Sequence, residues 1–199
     1  MIPIPSRVSR ALSRHIIQSC PKAEAGWEFA NQDEDTITGD FLGNLRTDWN
    51  VSGNTAWRFI YRKIRGRGKG ALEAKVGADA IITLHYKDAL GTHRYKSLVL
   101  QAKKITGRLD YEQWDKMNKF FPNGNIIATY GPTGYYASVD GTSNQQKLCQ
   151  IIANEFINCT IGIEGLYYDE STNKFIRPNS IPIDGTVEHE LMIEVFDNP

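Results

Sequence analysis

The sequence predicts an α/β domain, and three observations predict it. Apolar residues recur at helical spacing over residues 6–20, 32–45 and 111–121. Short aliphatic and aromatic runs of strand character fall at 57–63, 78–86, 95–102 and 125–130. Two of these runs flank a polar segment, 87–92, that contains Gly91 and reads as a hairpin turn.

The chain of 199 residues can build one domain with a sizeable core, and we read 1–199 as a single domain. A hydrophobic content of 41% and a charged content of 23% are ordinary for a water-soluble fold. No apolar run approaches the ~18–20 residues that span a membrane. The opening Met1-Ile2-Pro3-Ile4-Pro5 lacks the basic-then-apolar order of a secretory leader. Cys20, Cys149 and Cys159 are odd in number and match no metal-ligand spacing, so a reduced, cytoplasmic setting is expected. The net charge of zero hides a split. Residues 1–120 hold 20 Lys and Arg against 13 Asp and Glu, whereas 121–199 hold 3 against 10. A first part at +7 suits contact with a polyanion, although surface charges can also segregate without one.

The first helical stripe, Val8, Ala11, Leu12, His15 and Ile16, is expected to stop at Pro21, with residues 22–32 as a connection. A second helix should start near Gln32-Asp33-Glu34, with Asn31 or Asp33 as N-cap. Along it Glu34, Ile37, Thr38, Phe41 and Leu45 share one face, which sets Glu34 in line with the packed residues and leaves Asp33 and Asp35 off it. Gly39 and Gly43 each cost about 1 kcal/mol relative to Ala in a helix interior. Close approach to another backbone would justify them. By itself Glu34 is explained equally well as a first-turn acid that complements the helix dipole.

The strand at 57–63 runs into Arg65-Gly66-Arg67-Gly68-Lys69-Gly70, where cations alternate with glycine. Such a segment can approach and grip phosphates, or be a solvated turn. It is not a P-loop, because the closing Gly-Lys-Ser/Thr is missing. After the hairpin, a helix through Gln113, Trp114, Met117 and Phe121 is stopped by Pro122, with Gln113 and Lys116 beside its stripe. Strands at 135–139, 166–168 and 191–196 and a helix marked by Leu148, Ile151, Ile152 and Phe156, capped by Thr142 or Ser143, complete the reading.

The chemistry concentrates where the second hairpin strand ends. Leu98, Val99 and Leu100 read as buried, yet the run continues into Gln101, Ala102, Lys103 and Lys104. Alternation puts Gln101 and Lys103 on one face. In an antiparallel pair the start of one strand lies beside the end of the other, which brings Asp79 next to Gln101 and Lys103. A carboxylate, an amide oxygen and an ammonium together suit divalent-ion-assisted phosphodiester hydrolysis. Asp79 would be the anionic ligand, Gln101 or the Ala102 carbonyl a neutral one, and Lys103 would hold the attacking hydroxide or stabilise the transition state. Glu34, brought in by the helix, would complete the shell or orient a metal-bound water. A plain Asp79–Lys103 ion pair explains two of these residues but not Gln101 or Glu34. No Ser or Cys sits in a nucleophile elbow. His15, His85, His93 and His189 show no metal-binding spacing.

Gly77-Ala78-Asp79 followed by Leu98-Val99-Leu100-Gln101-Ala102-Lys103-Lys104 resembles the PD-(D/E)xK nuclease superfamily, in its Mrr-like variants with Gln in place of the second acid. Glu34-Asp35-Thr36-Ile37-Thr38-Gly39 resembles the Glu-Asn-x-Leu-Thr helix motif of bacterial restriction-endonuclease-like proteins. The segment from Lys63 through Glu73, and the Gln113 helix followed by a strand at Ile126, add to the likeness, which covers about 30–135. The resemblance implies a restriction endonuclease-like fold, a central mixed β-sheet flanked by α-helices, with 136–199 completing or extending the sheet. It implies Mg²⁺-dependent, or Mn²⁺-dependent, cleavage of DNA, in anti-phage or restriction defence. Glu34, Asp79 and Gln101 carry over as metal residues and Lys103 as the catalytic lysine. Arg62, Lys63, Arg65, Arg67, Lys69, Lys104 and Gln113 are the expected nucleic-acid contacts. A homodimer or a partner protein of a defence system is the expected assembly, since cutting both strands takes two sites. Gln101 lacks the charge of the usual acid, so a catalytically inactive nucleic-acid-binding or assembly module of the same fold stands as the alternative.

Overall fold

The computed structural model describes residues 2–31, 33–64, 76–108, 110–139 and 145–197. Its helices are α1 (Ser6–Ala25), α2 (Trp27–Ala30), α3 (Glu34–Asn44), α4 (Tyr111–Phe120) and α5 (Leu148–Gln150), which runs on into a π-helical turn at Ile151–Phe156. The strands are β1 (Thr47–Ser52), β2 (Thr55–Lys63), β3 (Ala80–Lys87), β4 (His93–Lys104), β5 (Asn125–Gly131), β6 (Gly134–Ser138), β7 (Gln146–Lys147) and β8 (Ile163–Glu164). Then follow β9 (Tyr167–Asp169), β10 (Lys174–Ile176), β11 (Ile183–Asp184) and β12 (His189–Asp197). The fold is α/β, with a mixed central sheet in the order β1-β2-β12-β3-β4-β5-β6-β7, β8 added to β4, and a separate small sheet β11-β10-β9.

Helices cover both faces, because β4 is apolar on both. Leu98, Leu100 and Ala102 pack with Val8, Leu12, Ile37 and Phe41 of α1 and α3 on one side. Val99 packs with Trp114 and Met117 of α4, and with Tyr168 and Phe175 of the small sheet, on the other. Alternating side chains on a doubly covered strand give this continuous apolar run. Among the described residues no helix is long and apolar enough to cross a membrane.

The expected hairpin is present: Ala80 pairs with Leu100 and Lys87 with His93. β4 and β5 are parallel, with Val99 opposite Asn125, and α4 forms the crossover between them. β12 enters between β2 and β3, antiparallel to the first and parallel to the second.

Two expectations about the first helices are corrected. α1 does not stop at Pro21 but continues to Ala25, ended by Gly26. The ring of Pro21 is exposed, so the hydrogen bond it cannot make is lost on the solvent side, while Cys20 and Ala23 keep the helix packed on the core. The following segment is a further short helix rather than an open connection. The glycines of α3 face side chains, not another backbone. A Cβ on Gly39 would lie 2.9 Å from the Tyr61 hydroxyl and 3.0 Å from the His189 ring, and one on Gly43 would make ordinary contact with Tyr61. Lys147 takes the N-cap position of α5 without a side-chain bond, while Thr142 and Ser143 lie outside the described residues.

Candidate functional site

The site is built by a difference in strand length. β3 begins at Ala80, opposite Leu100, but β4 runs on to Lys104. Over those last residues β4 keeps β5 on one edge, pairing Gln101 with Ile127 and Lys104 with Tyr130. The other edge has outrun β3, and its amides need acceptors. The Ala102 N–H donates to Oδ2 of Asp79 at 2.6 Å, and the Lys104 N–H donates to Oε1 of Glu34 at 3.0 Å. Two carboxylates thus replace the missing strand, gripping amides about 6.6 Å apart along β4. The carbonyl of Ala102 leaves the strand on the same edge as its amide, so it too faces this gap.

Each acid arrives by a local cause. Asp33 caps α3, accepting the Thr36 amide at 2.8 Å, and so starts the helix with Glu34 in its first turn. Ile37, Thr38 and Phe41 of the same helix are buried, which holds Glu34 over the end of β4. Asp79 is fixed through its backbone: its N–H donates to Leu100, and its carbonyl accepts from Glu188 and His189.

The remaining two residues come from β4 itself. Lys103 Nζ lies 3.6 Å from Oε2 of Glu34, with both side chains partly buried. Gln101 is fully buried. Its amide Nε2 donates to Oε1 of Gln113 on α4 at 2.6 Å, while its own Oε1 has no hydrogen-bond partner among the described residues. α4 reaches so close because Gly77, at φ +73°, puts no Cβ against it; a Cβ there would stand 2.5 Å from the Gln113 carbonyl oxygen. Glu34, Asp79, Gln101, Lys103 and Gln113 therefore gather at one end of the sheet.

The expected nucleic-acid contacts divide. Lys104 donates from Nζ to the Asn31 carbonyl. Arg62 is paired with Glu190 on β12 and lies 3.6 Å from Glu170, and Lys63 is bonded to Asp35 at 2.7 Å. Arg65, Arg67 and Lys69 lie outside the described residues.

A second group of titratable residues sits next door. Asp35, one residue past Glu34, turns away from β4 toward β12. Its Oδ1 lies 2.6 Å from Nε2 of His189, whose Nδ1 is 2.9 Å from the Tyr61 hydroxyl. Burial acts to raise the Asp35 carboxyl, yet hydrogen bonding with Glu188 and Lys63 and the nearby His189 hold it well below the usual carboxylate range. Burial pushes the His189 imidazole down, against the pull of Asp35. The bond to Asp35 raises Lys63. Sequence reasoning missed this group because Asp35 fell off the packed helical stripe and its histidine lies 154 residues away. The one local signal was the run Glu188-His189-Glu190 at the head of an apolar strand.

Comparisons with protein-family models, with curated proteins and with solved structures give no match.

Proposed function

We propose that this protein is a divalent-ion-dependent nuclease of restriction endonuclease-like fold that hydrolyses phosphodiester bonds in DNA. The observation that supports it most is the meeting of Glu34 and Asp79 on the open edge of β4, with Gln101 and Lys103 delivered by that strand. The order of parts agrees with it: an acid on a helix, a hairpin carrying Asp79 and Gln-x-Lys, a crossover helix, and a parallel strand.

The donor set fits Mg²⁺ or Mn²⁺. It consists of hard oxygens, and among the described residues Oε1 of Gln101 is a buried acceptor without a hydrogen bond, which a cation would satisfy. Asp79, Gln101 and Glu34 would hold the ion, with the Ala102 carbonyl on the same edge. Once bound, the ion would neutralise phosphate charge and make water a better nucleophile. The protein's own groups do the rest. Lys103 places an ammonium where negative charge grows on the phosphate in the transition state. Glu34 steadies that ammonium and ties down the end of β4. Gln113 holds the Gln101 amide by its nitrogen, which leaves the oxygen available as a ligand. The reading places the protein in the cytoplasm, where DNA and Mg²⁺ coexist, and gives it a defence role as a homodimer or beside a partner protein.

A second reading, a silent nucleic-acid-binding or assembly module, draws on the same contacts. Asp79 and Glu34 already accept backbone amides, so the strand end is capped without an ion. Plasmid nicking separates the two. With Mg²⁺ or Mn²⁺ the wild type should nick supercoiled DNA and EDTA should stop it. Asp79→Ala and Lys103→Ala should lose about a hundredfold or more at unchanged circular dichroism. Full cleavage by those variants would refute the site. Salt-sensitive binding without cleavage under any divalent ion would favour the silent module.

A further inference from the structure

We propose that Asp35, Glu188 and His189 form a second cation site, chemically different from the Glu34–Asp79 edge and suited to a first-row transition dication such as Mn²⁺ or Zn²⁺. One ligand atom from each of these residues falls within a common 4.8 Å. One imidazole nitrogen with two carboxylates is a borderline donor set that suits such ions better than Mg²⁺, which prefers oxygen alone.

The histidine is oriented for the role. Its Nδ1 meets the Tyr61 hydroxyl at 2.9 Å and its ring stacks on Tyr61 with planes 21° apart, so Nε2 points at Asp35. Metal-binding histidines commonly have the second nitrogen held by such an outer partner. An outside feature preserves this arrangement: α3 carries Gly39 at the place where a Cβ would press on both rings, 2.9 and 3.0 Å away. Asp35 is divided between tasks, with Oδ2 on Lys63 at 2.7 Å and Oδ1 on the histidine at 2.6 Å. Bonds of about 2.0–2.2 Å to a shared ion separate neighbouring donor atoms by about 3 Å at octahedral and about 3.4 Å at tetrahedral angles, so the ion enters when the Oδ1 to Nε2 contact opens by about 0.4–0.8 Å. Glu188 is anchored by its own amide, which donates to the Asp79 carbonyl at 3.0 Å. The side chains of His189 and Asp35 are 1% and 14% exposed, so the ion would sit largely out of water.

The inference stands apart from the nuclease reading, and the test keeps them apart. The Glu34→Gln/Asp79→Asn double variant removes the carboxylates of the other edge. Titrated with Mn²⁺ and followed by electron spin-echo spectroscopy, it should bind one ion saturably and show nitrogen modulation from a coordinated imidazole. Labelling histidine with ¹⁵N should change that modulation. Asp35→Asn should weaken binding at least tenfold, and His189→Gln should remove the modulation. No saturable ion in a folded double variant, an ion without nitrogen modulation, or modulation that survives in a folded His189→Gln variant would each overturn the site. The same labelling in the wild type needs no substitution and should change the modulation too, because the Glu34–Asp79 edge offers no histidine; an unchanged signal there would overturn the site even if every variant failed to fold.

Discussion

Gln101 is a fully buried primary amide that donates one bond to Gln113 and leaves its oxygen without one among the described residues. A buried acceptor in that state costs about 1–3 kcal/mol, which a purely structural strand residue would avoid by being apolar. The cost has a use if the oxygen receives a cation. A carboxylate in its place should sharpen both sides of the balance. Gln101→Glu should melt lower than wild type without divalent ions and show a larger Mg²⁺-induced rise in Tm, as charged ligands hold the ion more tightly. A Mg²⁺-induced rise in Tm no larger than that of wild type would mean that this oxygen faces no ion. Asp79, Gln101 and Lys103 were legible in the sequence, because strand alternation and one hairpin are local rules. Glu34 followed from the helical stripe. The same stripe misled about Asp35: it sorts residues by whether they pack on the core, and Asp35 is held by charge partners from β2 and β12.

At the level of elements, the unequal lengths of β3 and β4 make the site, and Gly77, just ahead of β3, lets α4 pack close to it. Its φ of +73° and its contact with the α4 backbone both exclude a side chain. Gly77→Ala should destabilise the fold by about 2–4 kcal/mol, measured by urea unfolding, from strain plus overpacking. A change below about 0.5 kcal/mol would show that α4 is free to move away. The pairing of β2 with β12 carries a second dependence. Glu190 is fully buried, and burial raises its carboxyl pKa against the pull of Arg62. Arg62→Ala removes that partner and should cost about 2 kcal/mol, with most of it recovered by adding Glu190→Gln. Additive losses in the double variant would contradict the pairing. These contacts also explain why the charge split along the chain overstated the surface available to a polyanion. Arg58 and Arg62 bind Glu194 and Glu190, so part of the basic first half is answered by the acidic last strand. Composition counts charges without knowing which strands become neighbours.

For the whole molecule, the sheet separates two kinds of chemistry at its two ends. His85 and His93 stack at the end away from Glu34, with His85 Nε2 2.7 Å from His93 Nδ1. Burial, then the charge of His93 and Lys87, lowers the His85 pKa against the opposing pull of Glu194. Below about pH 6.5 the unfolded chain therefore takes up this proton more readily than the folded one, and stability is lost as pH falls through that range. His85→Phe should show a smaller drop in Tm between pH 7.5 and 5.5 than wild type, with divalent-ion binding unchanged. An identical drop would remove His85 from the account. The sequence could not place β12, because a strand that joins the sheet from the far end of the chain leaves no mark in local periodicity. Yet the head of β12 and Glu188 just before it supply the backbone donors that fix Asp79, and β12 the histidine that meets Asp35.

Anomalous diffraction from a crystal soaked in Mn²⁺ tests the central claim most directly. A peak within bonding distance of the Asp79 carboxylate and of Gln101 Oε1 or the Ala102 carbonyl, with Lys103 beside it, is the predicted result. Soaks at saturating Mn²⁺ that leave this end of β4 without a peak would contradict a metal-dependent nuclease site there.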